Sequence, residues 1–318
     1  MSADERISIV VTTWNARAWI DRALQSALTQ THADTEVIVV DDASTDGTAD
    51  HVEQQYGARV LLLRNAGNRG PSASRNRGID AATGAWFMQL DGDDWIAPER
   101  GAHLLQFARE TASDIVADDQ LLVLDGSDEP IGTNFIANGF ARRAQVELTT
   151  AQFVRRDLGW LKPMIRLDLL RATGIRYPEH IRYGEDFLFL YALLQHGARF
   201  AVMPELTYYM RRGNTGSLTT QRDPLFAQVI AGTRALLADA HAQQQHDIAA
   251  ALTTRIQHLE QLQRGERAIA SLRARRLPRP GDLPAVAQKI LSKISSQLRL
   301  ALLLQEQGQE IRRQLASQ

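Results

Sequence analysis

The stretch FMQLDGDDW, residues 87–95, sets three carboxylates within four positions directly behind a run that reads as a buried strand. Left unneutralised, Asp91, Asp93 and Asp94 repel one another, which raises their pKa values and disfavours the compact state. A rigid strand ending in Asp-x-Asp-Asp offers hard oxygen ligands suited to Mg²⁺ or Mn²⁺ bridged to phosphates. Such a metal would remove the repulsion. The plain alternative is a solvated acidic turn that caps the next helix; the place behind an apolar strand and ahead of Trp95 and Pro98 favours the metal.

Around this stretch, the first 125 residues alternate short β-branched runs with longer amphipathic ones, the pattern of βα units and a mainly parallel sheet. Strands are expected at Ile7–Val11, Glu36–Val40, Arg59–Leu63, Ala85–Leu90 and Asp114–Ala117, with helices at Ala18–Leu28, Thr48–Tyr56, Pro71–Ala82 and Pro98–Glu110. Pro71 and Pro98 sit where a first helical turn accepts proline. An open α/β sheet binds ligands beyond the carboxyl ends of its strands, where Asp41, Asp42 and the Asp91–Asp94 cluster all fall.

The composition suits one large domain plus something smaller: 318 residues, 44% hydrophobic and 23% charged. A formal net charge of −1 gives no basic field of the kind that draws nucleic acid. That balance is uneven, because residues 245–318 hold 12 Lys/Arg against 6 Asp/Glu, leaving the rest acidic. Without cysteine there is no disulfide, thiolate nucleophile or Cys-based zinc site. The apolar run Ile7–Val11 is too short for a signal-peptide core and nothing approaches a membrane span, so cytoplasmic residence is expected.

Two further clusters bear on chemistry. In VIVVDDASTDGTAD, residues 37–50, a well-made βα turn accounts for Ser44, Asp46 and Gly47, but not for two adjacent carboxylates at the strand end. One of these would accept hydrogen bonds from a base or ribose. RNAGNRGPSASRNRGI, residues 64–79, gathers Asn68, Arg69 and Arg75 around a helix start, where N–H groups and guanidinium both favour phosphate. It is neither a Walker A loop nor a dinucleotide fingerprint.

The three clusters in this order resemble family 2 glycosyltransferases, whose opening strand ISIVVTTWNAR also resembles. The likeness runs through YYMRRGNTGSL, and GWLKPMIR with RYGEDFLFLYALLQHGARF resembles bacterial exopolysaccharide enzymes of the succinoglycan glucosyltransferase type. Thr12 stands where that family commonly has proline. The resemblance implies a GT-A, Rossmann-like α/β fold in which Thr12 and Asp42 line the nucleotide, Asp42 facing uracil, and Arg75 lies near the diphosphate. It makes Asp91 and Asp93 the metal-binding pair, with Asp94 a further candidate, and Asp186 of the Glu185-Asp186 pair the catalytic base.

The chemistry is consistent with that assignment: transfer with inversion needs one base, since the metal assists departure of the nucleoside diphosphate. The plain alternative for Glu185 and Asp186 is a favourable pairing with the helix dipole. Trp160, Lys162 and Glu185 are expected on the acceptor side, Trp160 stacking on a sugar or simply belonging to the core. Arg211 would close over the diphosphate, against the alternative of a solvated arginine. His196 reads as a helix-end residue.

The expectation is therefore a catalytic domain over residues 1–222, with a nucleotide-sugar half at 1–125 and an acceptor half at 126–222. Residues 126–139 read as a loop. Residues 223–318 form a helical extension with apolar stripes at Leu252, Ile256, Leu259, Leu262, Ile269 and Leu272 and again from Ile290 to Leu302. The basic second stripe would pack against the catalytic domain or a second subunit, or rest on an anionic membrane face. The donor would be a UDP-sugar and the acceptor a glycan or polyprenyl-diphosphate-linked oligosaccharide. The competing readings are a sugar-phosphate nucleotidyltransferase, which lacks its Gly-rich N-terminal loop here, and a non-catalytic nucleotide-sugar or glycan-binding protein.

Overall fold

The computed structural model describes residues 5–137, 147–213 and 222–273. Its elements are β1 (Ile7–Thr13), α1 (Ile20–Leu28), β2 (Thr35–Asp41), α2 (Thr48–Tyr56), β3 (Leu61–Arg64), α3 (Pro71–Ala81), β4 (Trp86–Asp91), β5 (Trp95–Ile96), α4 (Arg100–Thr111), β6 (Ile115–Leu124), β7 (Pro130–Thr133), α5 (Asn134–Ala137), α6 (Thr150–Arg155), β8 (Met164–Arg166), α7 (Leu167–Thr173), α8 (Glu185–Gln195), β9 (Phe200–Arg212), α9 (Arg222–Ala242) and α10 (His246–Arg273). Described residues up to Gln120 and from 147 to Arg211 form one compact unit; those from Leu121 to 137 and from Arg212 to 273 form another.

The first unit is built on a sheet of order β3-β2-β1-β4-β8-β6-β9-β5. Pairing is parallel among β3, β2, β1 and β4, and antiparallel between β4 and β8, β6 and β8, and β5 and β9. The chain steps outward from β1 to β2 and β3, then returns to the other side of β1 as β4, which opens a crevice at the strand ends there. β1 has almost no solvent contact on either face, as a near-continuous apolar run in a parallel sheet requires. Ile20, Ala23, Leu24 and Ala27 give α1 one apolar face at helical spacing, and they join Ile9, Val11, Val39, Met88 and Leu90 in the main core. On the opposite side α3 lies so close to β1 that a Cβ on Gly78 would stand 2.2 Å from Val10 Cγ1.

Several boundaries differ from the sequence pattern. β3 starts at Leu61 because Gly57–Arg59 form a tight 3₁₀ turn, with Gly57 at positive φ. Pro98 lies ahead of α4, where its carbonyl accepts from Thr31 N at 2.8 Å. Strand β9 runs unbroken through Pro204 and Glu205, which sit at an exposed stretch where the missing N–H of proline is tolerated.

In the second unit the outer end of β6 pairs with β7, so the region expected to be a loop holds a strand and a helical turn. There α9 and α10 pack together: Arg234 pairs with Glu260 at 2.6 Å and Arg255 donates to Thr233 Oγ1. Leu252, Ile256 and Leu259 are buried, as their spacing requires. The second stripe, Ile290 to Leu302, lies outside the described residues. Among the described residues no helix is long and apolar enough to cross a membrane.

Candidate active site

Local geometry brings four charged side chains of the first unit into one ring. β4 delivers Asp91 at its carboxyl end, and α3 delivers Arg75 from its second turn. The segment leading into β8 carries Lys162, held by two backbone contacts: Gln89 N donates to Pro163 O at 3.4 Å and Arg100 Nη2 to Lys162 O at 2.7 Å. Asp186 sits in the first turn of α8, which starts after Gly184 at φ 83°, a conformation that favours glycine.

The ring alternates cation and anion. Arg75 Nη1 donates to Asp186 Oδ1 at 2.9 Å and Nη2 meets Asp91 Oδ1 at 3.4 Å. Lys162 Nζ takes the other oxygen of each acid, Asp91 Oδ2 at 2.8 Å and Asp186 Oδ2 at 3.3 Å. Glu185 adds a third carboxylate, accepting from Arg75 Nη1 at 2.7 Å. With its oxygen turned toward the cations, the Gln89 amide meets Arg75 Nε at 2.8 Å and Lys162 Nζ at 3.2 Å, and its nitrogen meets the Tyr177 hydroxyl at 3.0 Å.

Electrostatics follow from this packing. Burial alone would raise the Asp91 pKa, but Lys162 and then Arg75 outweigh it and hold the carboxyl well below the usual range. Burial would lower Lys162, yet Asp186 and Asp91 keep its pKa above the ordinary lysine value. Burial and the neighbouring Asp186 raise Glu185, against the pull of Arg75. Side-chain exposure separates the two acids of the pair: 16% for Asp186 and 9% for Glu185. Asp186 is thus the one better placed to meet a ligand.

The rest of the acidic turn is tied to β9. Asp94 is buried and accepts from Tyr208 Oη and Arg211 N, each at 2.8 Å. Burial, then Asp93 and Asp91, push its carboxyl well above the ordinary range. Arg211 Nε donates to Asp93 O at 3.0 Å, and its guanidinium lies 5.1 Å from the Trp95 ring centre, with Arg22 at 3.5 Å. Arg211 therefore stands beside the acidic turn, clasped to its backbone.

Other expected residues have different immediate partners. Asp42 closes the strand end by accepting from Asn65 Nδ2 at 2.7 Å, Arg69 N at 2.9 Å and Gly70 N at 2.7 Å. It shapes the loop that opens α3 and so the placement of Arg75. Thr12 is half-buried in register with Asp91, and its carbonyl accepts from Gly92 N at 2.9 Å. Trp160 is half-buried in a 3₁₀ turn, its carbonyl accepting from Gln120 Nε2 at 3.0 Å. His196 caps the end of α8, as its place in the sequence suggests.

Sequence reasoning missed Gln89, Tyr177, Tyr208 and the buried pair Arg100–Asp118, joined at 2.6 Å. Gln89 left a signal, since it is the one polar residue inside the apolar run of β4. Lys162, read as an acceptor-side residue, is a counter-charge of Asp91. The counter-charge that the sequence asked of a metal is thus partly supplied by the protein.

The acidic turn fits a dication on one side. Asp91 gives its oxygens to Arg75 and Lys162 and Asp94 gives its own to Tyr208 and Arg211. Asp93 is a half-buried hard oxygen donor, and the raised Asp94 pKa, due to burial and then to Asp93 and Asp91, reports a crowding of negative charge that a dication beside Asp93 would relieve. Among the described residues no three His, Asp or Glu side chains form a ready metal site.

Residues 8–157 match the family model described as glycosyl transferase family 2. The succinoglycan biosynthesis protein ExoO of Rhizobium meliloti is 34% identical over 65% of this chain and 62% of its own length. The poly(ribitol-phosphate) beta-glucosyltransferase of Bacillus spizizenii is 31% identical over 64% of this chain and 32% of its own length. The chain thus spans less than two thirds of these curated relatives. The crystal structure of S. aureus TarS 1–349 in complex with UDP-GlcNAc superposes with a TM-score of 0.65 at 24% identity, covering 79% of this chain and 72% of that one. That likeness gives a GT-A-type fold, and residues 8–157 of the chain are similar to glycosyl transferase family 2.

Proposed function

We propose that the chain is an inverting, metal-dependent glycosyltransferase that moves a sugar from a UDP-sugar to a glycan or lipid-linked oligosaccharide in polysaccharide biosynthesis. The observation that carries this reading is Asp186, partly open to solvent and fixed opposite the strand-end Asp91 by two shared cations. The relatives' names support the polymer context, and UDP-GlcNAc bound to the TarS structure supports a UDP-sugar donor.

Asp186 would take the proton of an acceptor hydroxyl, whose oxygen then attacks the anomeric carbon as the bond to the diphosphate breaks and that group leaves with the electron pair. Asp42 and Thr12 would border the nucleoside, and Arg75 and Arg211 would add positive charge near the diphosphate. GT-A members of the family generally use a divalent metal; here Asp93 would hold it, with Asp91 and Asp94 behind, and it would stabilise charge on the leaving group. Trp160 and Glu185 would border the acceptor side in this reading, while Lys162 serves as a counter-charge of Asp91 and Asp186. Residues 1–222 would form the catalytic part and 223–318 the extension.

The test is UDP release from a panel of UDP-sugars with Mn²⁺, Mg²⁺ or EDTA. Wild type should hydrolyse one donor slowly in a metal-dependent way, and Asp186→Asn should lower turnover by about 10³-fold while sparing UDP affinity. Asp93→Asn should weaken metal-dependent UDP binding. Wild type that binds no UDP with either metal would refute the reading.

A further inference from the structure

We propose that the Lys162 ammonium is a resident bridging cation: a positioning residue that locks Asp91 to Asp186 and does not itself bind the donor. The inference rests on the transferase reading and deepens it by giving the buried lysine a positioning task in the same ring as Arg75.

Three observations carry it. An ammonium has three donors and no acceptor. Lys162 meets three oxygens, Asp91 Oδ2 at 2.8 Å, Asp186 Oδ2 at 3.3 Å and the inward-turned Gln89 oxygen at 3.2 Å, so its donors are all engaged inside the protein. Its side chain is 7% exposed, which leaves little face for a substrate.

The second observation is the division of oxygens. Arg75 takes Oδ1 of both acids and Lys162 takes Oδ2 of both, so neither carboxylate can rotate without losing a charged partner. A carboxylate offers about four lone-pair directions, which leaves Asp186 room to accept from a ligand hydroxyl while held at both oxygens. Third, the lysine's own backbone is fixed from beneath. Arg100, fully buried, donates through Nη2 both to Lys162 O at 2.7 Å and to Asp118 at 2.6 Å, and Asp118 accepts from Thr207 N at 2.8 Å in β9. Those contacts link the lysine to the strand whose Tyr208 and Arg211 hold Asp94.

The experiment uses the full chain with Lys162→Met, Lys162→Arg, Asp186→Asn and the double variant Lys162→Met/Asp186→Asn. Thermal unfolding tests the bridge independently of any reaction. Lys162→Met should melt below wild type, and the double variant should lose less than the two single losses combined, because neutralising Asp186 removes a buried charge that lost its partner. Calorimetry with UDP and Mn²⁺ should give Lys162→Met an affinity within about threefold of wild type, while turnover of the accepted UDP-sugar falls about 100-fold at little-changed donor KM. Lys162→Arg should recover about tenfold of that loss, since a guanidinium can still span both acids.

Additive melting losses, full turnover in Lys162→Met, or a folded Lys162→Met that no longer binds UDP would each overturn the bridge. Wild type that neither binds UDP nor turns over any donor would instead refute the transferase reading, and the melting cycle would still decide the role of the lysine.

Discussion

Glu36 at the start of β2 shows how one carboxylate can organise a corner far from the chemistry. It accepts from Ser8 Oγ at 2.5 Å, Thr83 N at 2.7 Å and Thr83 Oγ1 at 2.9 Å, with Arg6 at 3.6 Å. Burial opposes ionisation, but these donors win, and its pKa lies below the ordinary glutamate value of 4.5. A depressed folded pKa means that its contribution is present above the unfolded value and is lost as pH falls from there through the folded one. Glu36→Gln should cost about 1–2 kcal/mol at neutral pH, and the cost should shrink in urea melts on acidification below about pH 4.5. Sequence spacing alone gave no hint of this residue, because its partners lie in β1 and in the turn before β4. Asp42 is the converse case: its strand-end position was readable, whereas its bonds to Asn65, Arg69 and Gly70 depend on a loop conformation that pattern does not encode.

At the scale of elements, α3 is set by its closest approach to the sheet. Gly78 leaves no room for a Cβ against Val10, so Gly78→Ala should push the helix outward or force Val10 aside, at a cost of about 1–3 kcal/mol. Because α3 carries Arg75, turnover should fall with it. Adding Val10→Ala should restore part of the melting temperature, which a thermal scan of the single and the double variant would check. The helix itself was legible from Pro71 at its first turn, as were β1, β2 and β4 from their short β-branched runs. The two-residue β5 was not, for Trp95 and Ile96 become a strand only by pairing with Tyr209 and Tyr208 of β9. Equally hidden was β8, three residues long, whose neighbours β4 and β6 are distant in sequence.

For the molecule as a whole, charge is divided along the chain: residues 245–318 carry 12 basic and 6 acidic side chains against an overall net charge of −1. The full chain should adsorb to vesicles containing anionic lipid at about 0.1 M salt and leave them at about 1 M, as the Debye length shortens from about 10 Å to 3 Å. Co-sedimentation at the two salt concentrations checks this, and salt-independent behaviour would favour a role for that segment in helix packing alone. The acidic and Glu-Asp motifs were readable because each is local, but their joining was not, since Arg75 reaches Asp186 across 111 positions of sequence. That separation has a kinetic consequence. Loop closure must be paid for before distant groups can attract one another, so the ring of Asp91, Arg75, Asp186 and Lys162 belongs to the late, topology-limited stage of folding. During synthesis the strand-end acids emerge before Lys162 and α8 exist, and the nascent chain carries a repulsive edge whose second counter-ion is still untranslated.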